Sequence, residues 1–346
     1  MVSFTKPNYS KSRIKSAGKR IVKGAASAED NIVLENFRAA HAYVLNTFQM
    51  NARRHSQSAS RTVGQRLKRR NTILDKLERE PSMPLYAMHD IAGCRIIFES
   101  EADLLKVRAS LHSARFKHIL LNEVEKFDYI QSPKSTGYRG VHDVFEYHVD
   151  RLPGSEWNGL KVEIQFRTQA QHAWATAVEV ADLITSNRIK FNDAKSYYLD
   201  YFRYASEIIA RSAEGRKSCL PNLSNIELIE GFKSLDKRLN LLGTFQNLQA
   251  NASSKSKFKK NSILIFKYGS DDDEKSLEIL TFENVNRAID RYAELEEEYG
   301  QDADIVLVRG ETEESIRDAF RNYFSDARAF VDLIEDGLDS LGRSEL

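Results

Sequence analysis

The eight residues Lys161–Thr168, KVEIQFRT, restrict the fold more than any other stretch of the chain. Apolar and polar side chains alternate strictly here, and a β-strand sends successive side chains to opposite faces. Val162, Ile164 and Phe166 therefore share one face, and Lys161, Glu163, Gln165 and Arg167 share the other. A carboxylate, an amide and a guanidinium in one row make either a solvated edge or the wall of a site. Alternation by itself favours the solvated edge. Only neighbouring motifs can reverse that.

The surrounding pattern predicts an α+β fold. Ile32, Val33, Phe37, Ala40, Val44 and Phe48 recur near helical spacing, so the first 60 residues read as a helical lead. A second helix is predicted from Val63 to Leu77, stopped by Pro81 and Pro84. Next come a strand (GCRIIFE), a helix (EADLLKVRASLHSA), an extended stretch (ILLNEVEKFDYI), a loop (SPKSTGYRG), a strand (VHDVFEYHV) and a turn (LPGSEWNG) ahead of KVEIQFRT. A long helix starts near Thr168. Such alternation implies a mixed sheet flanked by helices, here over residues 61–220. Residues 192–250 read as further helix, and residues 251–262 as a polar, basic linker closing a 221–261 connection. Residues 262–346 read as a separate small α+β module. Its elements are a strand at Ile263–Tyr268, an acidic turn, the strand LEILTF, the helix NVNRAIDRYAELEEEY, the strand DIVLVRG, and a last helix opening at Thr312.

Charge divides the chain in the same place. After residue 220 there are 16 Lys and Arg against 26 Asp and Glu, out of totals of 51 and 50, so the front is near +11 and the back near −10. A basic front suits polyphosphate or nucleic acid, and an acidic back suits a regulatory partner for it; two unlike solvated surfaces are the plainer reading. Cys94 and Cys219 are far apart and have no CxxC partner, which argues against a disulfide scaffold or zinc knuckle and for a reduced, cytoplasmic setting. The first 20 residues lack the apolar region of a signal peptide, and no apolar run approaches the roughly 20 residues of a membrane span.

Three further segments carry chemistry. In His89–Phe98, Asp90 stands at the entrance of an apolar strand, where a carboxylate can ligate Mg²⁺ or simply cap a turn, and Gly93 permits close backbone approach. In Asp128–His142, the residues Lys134, Tyr138, Arg139 and His142 crowd one glycine-containing loop and the strand after it. Lysine suits phosphate and tyrosine offers a face for stacking a base, although a loop with a buried tyrosine is the plainer reading. Upstream, Arg61, Arg66, Lys68, Arg69 and Arg70 form a basic cluster fit for a triphosphate, a nucleic-acid patch or a solvated face.

In this order and spacing, DIAGCRIIF, DYIQSPKSTGYRGVH and VEIQFRTQAQHAWA resemble the RelA/SpoT synthetase domain, with QRLKRRNTILDKL matching its upstream basic segment. The resemblance covers about residues 40–190. It implies a nucleotidyltransferase-like mixed sheet and transfer of pyrophosphate from ATP to a ribose 3′-hydroxyl, releasing AMP. It implies that Asp90 holds Mg²⁺ and that Glu163 joins it or acts as general base. Arg66 would stack on adenine, with Lys68, Arg69 and Lys134 on phosphates. Tyr138 would stack on the acceptor base, with Arg139 beside it, while His142, Gln165 and Arg167 position the acceptor and the transferred group. The chain departs from the family's pattern at Gly140, where serine is common, at Phe166, and at Ala177-Val178 after the tryptophan. No hydrolase constellation accompanies the synthetase motifs.

The resemblance leaves the acceptor open. The layout is similar to members fused to their own antitoxin (the CapRel-like type), which implies the 3′-terminal adenosine of tRNA as acceptor, self-inhibition by the acidic module, and a phage protein as trigger. Tyr323 and Phe324 are the candidate plugs of the site, although an aromatic residue in a last helix is usually core. The other enzyme reading is an alarmone synthetase making (p)ppGpp or (p)ppApp from a guanine or adenine nucleotide. A third is an inactive RNA-binding module. Retention of Asp90, Tyr138 and Glu163 together argues against the last. Nothing in the sequence fixes an oligomeric state.

Overall fold

The computed structural model describes residues 4–56, 60–185, 196–251, 261–267, 276–299, 303–309 and 327–343. Two helices lead, α1 (Lys11–Val22) and α2 (Ala28–Ser56). Asp30 ties them together: its carboxylate accepts from Arg13 (3.0 Å) and from Arg20 (2.5 and 2.8 Å). The sheet strands are β1 (Ser60–Leu67), β2 (Ala92–Phe98), β3 (Ile119–Leu120), β4 (Val141–Glu146), β5 (Lys161–Thr168), β6 (Asn261–Lys267), β7 (Ser276–Phe282) and β8 (Ala303–Arg309). Helices α3 (Arg70–Arg79), α4 (Glu101–His112), α5 (Gln169–Thr185), α6 (Ser196–Glu214), α7 (Asn225–Leu239), α8 (Leu241–Asn251), α9 (Val285–Tyr299) and α10 (Arg328–Arg343) complete the described α-helices. The fold is α+β, as the strand–helix alternation predicts.

All eight described strands join one mixed sheet in the order β3-β4-β5-β2-β1-β8-β6-β7. β2 and β5 run parallel, with Gly93 opposite Glu163 and Arg95 opposite Gln165. β4 lies antiparallel to β5, with His142 opposite Gln165. The alternation in β5 is therefore real and decisive. Val162, Ile164 and Phe166 are fully buried in the main core with Val33, Leu34, Phe37 and Phe48 of α2. Arg95, His142, Glu163, Gln165 and Arg167 all stand on the opposite face.

Behind that core the sheet buries a charge of its own. Asp143 of β4 is wholly buried and accepts from Arg108 through both oxygens, with His112 Nε2 2.7 Å away. A buried carboxylate is tolerated only when paired in this way.

The segment Val63–Leu77 departs from its predicted helix. Its first part is β1, and the helix begins only at Arg70. β1 is bonded on both sides, to β2 along its length and to β8 through Gln65 and Arg66. Backbone pairing on two sides outweighs the helical propensity of Gln-Arg-Leu-Lys, and the β-branched Thr62 and Val63 suit a strand. The stretch ILLNEVEKFDYI is also less extended than predicted. After β3 it winds through turns, and the Asp128 carboxylate accepts from the backbone N–H groups of Ile130 and Gln131.

The described strands after residue 260 share one sheet with those before it. They extend the sheet past β1, through pairs such as Arg66 with Val308. Tyr292 of α9 lies under the Arg38 guanidinium at 4.6 Å, and Arg38 Nε donates to the Lys68 carbonyl (2.8 Å). α10 belongs to a second core, where Phe330, Val331 and Ile334 pack with Trp174, Tyr201, Phe202, Phe232 and Phe245. The expected turn at SDDDEKS, most of the linker, the predicted helix start at Thr312, and Tyr323 and Phe324 lie outside the described residues. No helix among the described residues is long and apolar enough to cross a membrane.

Two measurements follow from this packing. Phe330 is fully buried, so Phe330→Ala should cost about 3–5 kcal/mol, read from urea unfolding followed by circular dichroism. His41 is buried, its Nδ1–H donates to the Phe37 carbonyl (2.7 Å), and burial holds its pKa down at about 4, against an ordinary 6.5. Stability linked to His41 is complete above pH 6.5 and declines as the pH falls towards 4, because only the unfolded chain takes up the proton there. Unfolding free energies measured through that window should show this slope, and His41→Gln should flatten it.

Candidate functional site

Two ammonium groups meet one carboxylate at the entrance of β2. Lys68 Nζ donates to one oxygen of Asp90 (2.8 Å) and Lys76 Nζ to the other (3.0 Å). Lys68 reaches Asp90 because its backbone N–H is bonded to the Ile91 carbonyl (2.8 Å), while Lys76 projects from α3. Burial would push the Asp90 carboxyl up, and so would the charge of Glu163. The two lysines outweigh both and hold it below the usual carboxylate value. Burial lowers Lys68. Arg66 stands on β1 opposite Gly93, and Arg69 is the residue just before α3, extended and without a side-chain capping bond. A Cβ on Gly93 would meet only ordinary contacts, 3.7 Å from the Arg66 carbonyl oxygen, so the protein itself makes no close approach there.

A second network crosses β5 and β4. Gln165 Nε2 donates to Glu163 Oε1 (2.6 Å), and His142 Nδ1 stands 3.5 Å from Glu163 Oε2. The other ring nitrogen of His142 is 2.5 Å from the Tyr138 hydroxyl, which also accepts from Arg167 at 3.1 and 3.3 Å. Arg167 donates to Gln165 Oε1 as well (3.3 Å). Burial would push Glu163 up, but His142 and Gln165 pull it well below the usual carboxylate range. Burial would lower His142, yet Tyr138 and Glu163 lift it to about 9. Burial would raise the Tyr138 hydroxyl, but Arg167 and His142 bring it down to about 8. Lys134 Nζ lies over the rings of Tyr129 (4.3 Å) and Tyr138 (5.3 Å).

Beyond Tyr138 a cavity of about 370 Å³ opens between β5, α5 and α6. Trp174, Val178, Leu199 and Phe202 give it apolar walls, while Lys134, Arg167 and His142 line it with basic groups that outnumber the carboxylate of Glu179. The combination suits a flat heterocycle carrying phosphate.

The sequence-derived candidates thus fall into groups. Asp90 and Lys68 meet at the β2 entrance. Lys134, Tyr138, His142, Glu163, Gln165 and Arg167 meet on the sheet face beside the cavity. Arg139 does not join them. It is 2% exposed and turned away, pairing with Glu214 and donating to Ser206 Oγ (3.2 Å), both on α6. It lies in a motif rich in ligand residues, and the sequence offers no sign of a partner so distant in the chain. Lys76 and Arg95 were missed. Lys76 sits on α3, six residues beyond Arg70, the last residue of the basic cluster. Arg95 alternates with Gly93 towards the site face of β2, where burial lowers its pKa to about 9.

Among the described residues no group of three or more His, Cys, Asp and Glu is arranged to hold a metal. Mg²⁺ needs fewer protein ligands than that, because it keeps waters and shares substrate phosphates. Asp90 and Glu163 supply carboxylate oxygens, the donors such an ion prefers, at present taken up by Lys68 and Lys76 on Asp90 and by Gln165 on Glu163. The residues fit such an ion.

Residues 65–184 match the family described as "Region found in RelA / SpoT proteins". The chain therefore carries a RelA/SpoT-type domain over those residues, as its three motifs imply. Among curated proteins it is similar to GTP pyrophosphokinase YwaC of Bacillus subtilis, 40% identical over 89 residues, which is 26% of this chain and 40% of that protein. It is also similar to GTP pyrophosphokinase YjbM of Bacillus subtilis, 36% identical over 108 residues, 30% of this chain and 48% of that one. The chain thus spans about half or less of the length of these relatives. Among solved structures, the small alarmone synthetase 1 of Bacillus subtilis bound to pppGpp aligns with a TM-score of 0.46 at 26% identity, covering 52% of this chain and 93% of that one.

Gly140 has a φ of 147°, and a Cβ there would lie 3.2 Å from the Tyr138 hydroxyl and 3.3 Å from Arg167 Cγ. The departure from serine at this position is thus built into the geometry. Gly140→Ser should lower stability by about 1–3 kcal/mol, the cost of one strained backbone position, measured by chemical denaturation.

Proposed function

We propose that the chain is an ATP-dependent pyrophosphokinase that acts on the ribose 3′-hydroxyl of an acceptor nucleotide. The observation that carries this reading is the row on the sheet face. Asp90 with its lysines stands at one end, Glu163, Gln165 and Arg167 follow, and Tyr138 with its cavity stands at the other. A donor triphosphate would take the cationic side made by Arg66, Lys68, Arg69, Lys76 and Arg95. An acceptor base would take the cavity, against Tyr138 and Trp174.

In the reaction the 3′-oxygen bonds to the β-phosphorus of ATP. The bond from that phosphorus to the oxygen bridging it to the α-phosphate breaks, and AMP leaves. Phosphoryl transfer through a loose transition state depends mainly on positioning and charge stabilisation. Glu163 is ionised at neutral pH and accepts the hydrogen bond of the attacking hydroxyl. A carboxylate held so low is a weak base, so its first part is to orient the hydroxyl; the proton passes to Glu163 late, as the bond to phosphorus forms, and from there to water. Arg167 and Lys134 neutralise the transferred group. Asp90 and Glu163 would hold Mg²⁺, which when bound supplies charge neutralisation to the phosphates.

The guanine nucleotides GDP and GTP are the preferred acceptors, supported by the similarity to two GTP pyrophosphokinases. One observation favours the tRNA 3′ end as a second reading: the first 220 residues carry a net charge near +11, which suits a nucleic-acid backbone. Self-inhibition with a phage-protein trigger belongs to that second reading and is supported by the acidity of the last third alone.

Purified protein with γ-labelled ATP, Mg²⁺ and GDP, GTP or deacylated tRNA should transfer label to one acceptor and release AMP. Glu163→Gln should reduce the rate by about 10²-fold or more while leaving the fold intact by circular dichroism. Transfer to none of these acceptors, or an unchanged rate in Glu163→Gln, would overturn the reading.

A further inference from the structure

The loop that carries Lys134 and Tyr138 is not held by the sheet alone. Its backbone turns at Gly137, where φ is 90° and a Cβ would stand 3.0 Å from Ser206 Cβ and 3.1 Å from the Phe202 carbonyl oxygen. The loop is thus pressed directly on α6, and Ser206 Oγ donates to the Gly137 carbonyl (2.6 Å). Ser206 in turn accepts from Arg139 Nε. Leu199 and Phe202 of the same helix form a wall of the cavity, and Trp174 Nε1 donates to the Phe202 carbonyl (2.8 Å).

One side chain at the far end of α6 gathers these parts. Glu214 pairs through Oε2 with Arg139, in the loop. Through Oε1 it accepts from Thr168 Oγ1 (2.8 Å), at the end of β5, and from Gln171 Nε2 (3.0 Å), in the first turn of α5. Thr168 and Gln171 also bond each other's backbone N–H groups (3.1 and 3.2 Å), which fixes how α5 leaves the strand. The Glu214 side chain is 9% exposed and that of Arg139 1%, so water does not compete for these bonds. Just after the helix, Arg216 reaches the Glu101 carboxylate (3.1 and 3.2 Å), bracing the same corner. A single carboxylate therefore sets three separations: the Tyr138 loop to α6, the loop to the Arg167 end of β5, and β5 to the Trp174 helix. All three bound the cavity.

We propose that Glu214 is a positioning residue for the acceptor, acting through Arg139 and Thr168 on Tyr138, Arg167 and Trp174. It lies outside the matched residues 65–184, so the working unit extends through α6. The proposal rests on the pyrophosphokinase reading for its kinetic consequence but not for its structural one.

The test compares the full chain with Glu214→Gln and with the double variant Arg139→Gln/Glu214→Gln, which leaves no unpaired buried charge. KM is measured separately for ATP and for the acceptor the wild type uses, and hydrogen exchange is followed over residues 132–140 and 92–98. We expect Glu214→Gln to raise the acceptor KM on the order of tenfold, since small misplacements of reacting groups carry such penalties. The ATP KM should stay within about twofold. Amides of 132–140 should lose protection while those of 92–98 keep it. The double variant should recover melting temperature but not acceptor KM. The proposal is overturned if the double variant restores acceptor KM, if both KM values move together, or if 132–140 stays equally protected. Should the wild type transfer nothing to any acceptor, the pyrophosphokinase reading fails, and the exchange comparison alone upholds or overturns the placement.

Discussion

An ionised carboxylate half-buried on the face of a sheet needs partners, and Glu163 dictates most of what surrounds it. Partly removed from water, its charge costs free energy unless it is compensated. Gln165, two residues along the same strand, and His142, one strand over, supply that compensation. His142 is then held charged, which draws the Tyr138 hydroxyl to it, and Arg167 completes the circuit from β5. The parallel pairing of β2 with β5 brings Arg95 alongside and sets Asp90 close enough to feel the same charge. The polar face of one strand thus becomes the organising row of the site, while its apolar face anchors the sheet on α2.

Much of this was legible because it is periodic. The alternation in Lys161–Thr168 gives both faces of β5 correctly, and the motif order gives the domain. What was illegible depends on contacts between distant parts of the chain. β1 reads as helix because its residues have helical propensity, and the two strands that claim it are remote in sequence. Arg139 reads as a ligand because it sits between Tyr138 and His142. Its burial against α6 could be read only from the fold. Lys76 was overlooked because a lysine on a helix is ordinarily solvated, and only its 3.0 Å contact with Asp90 distinguishes it.

The described part of the last third shares the sheet with the site. It contributes three strands to the sheet, and its final helix fills the core behind α6. The charge split along the sequence is therefore a poor guide to the physical boundary. Acidic residues line the solvent side of α10, at Asp332, Glu335, Asp336 and Asp339, while its other side is as apolar as any core helix.

The pairing of Arg66 with Val308 has a consequence for the order of assembly. During synthesis β1 emerges early, with β2 soon after on one side. Its other edge has no strand to bind until β8 leaves the ribosome. An open edge is a template for unwanted strand addition, and chains of this size fold piecewise as they emerge. The newborn protein must therefore protect the basic Gln65-Arg66 edge until β8, the last of the described strands, arrives to close it.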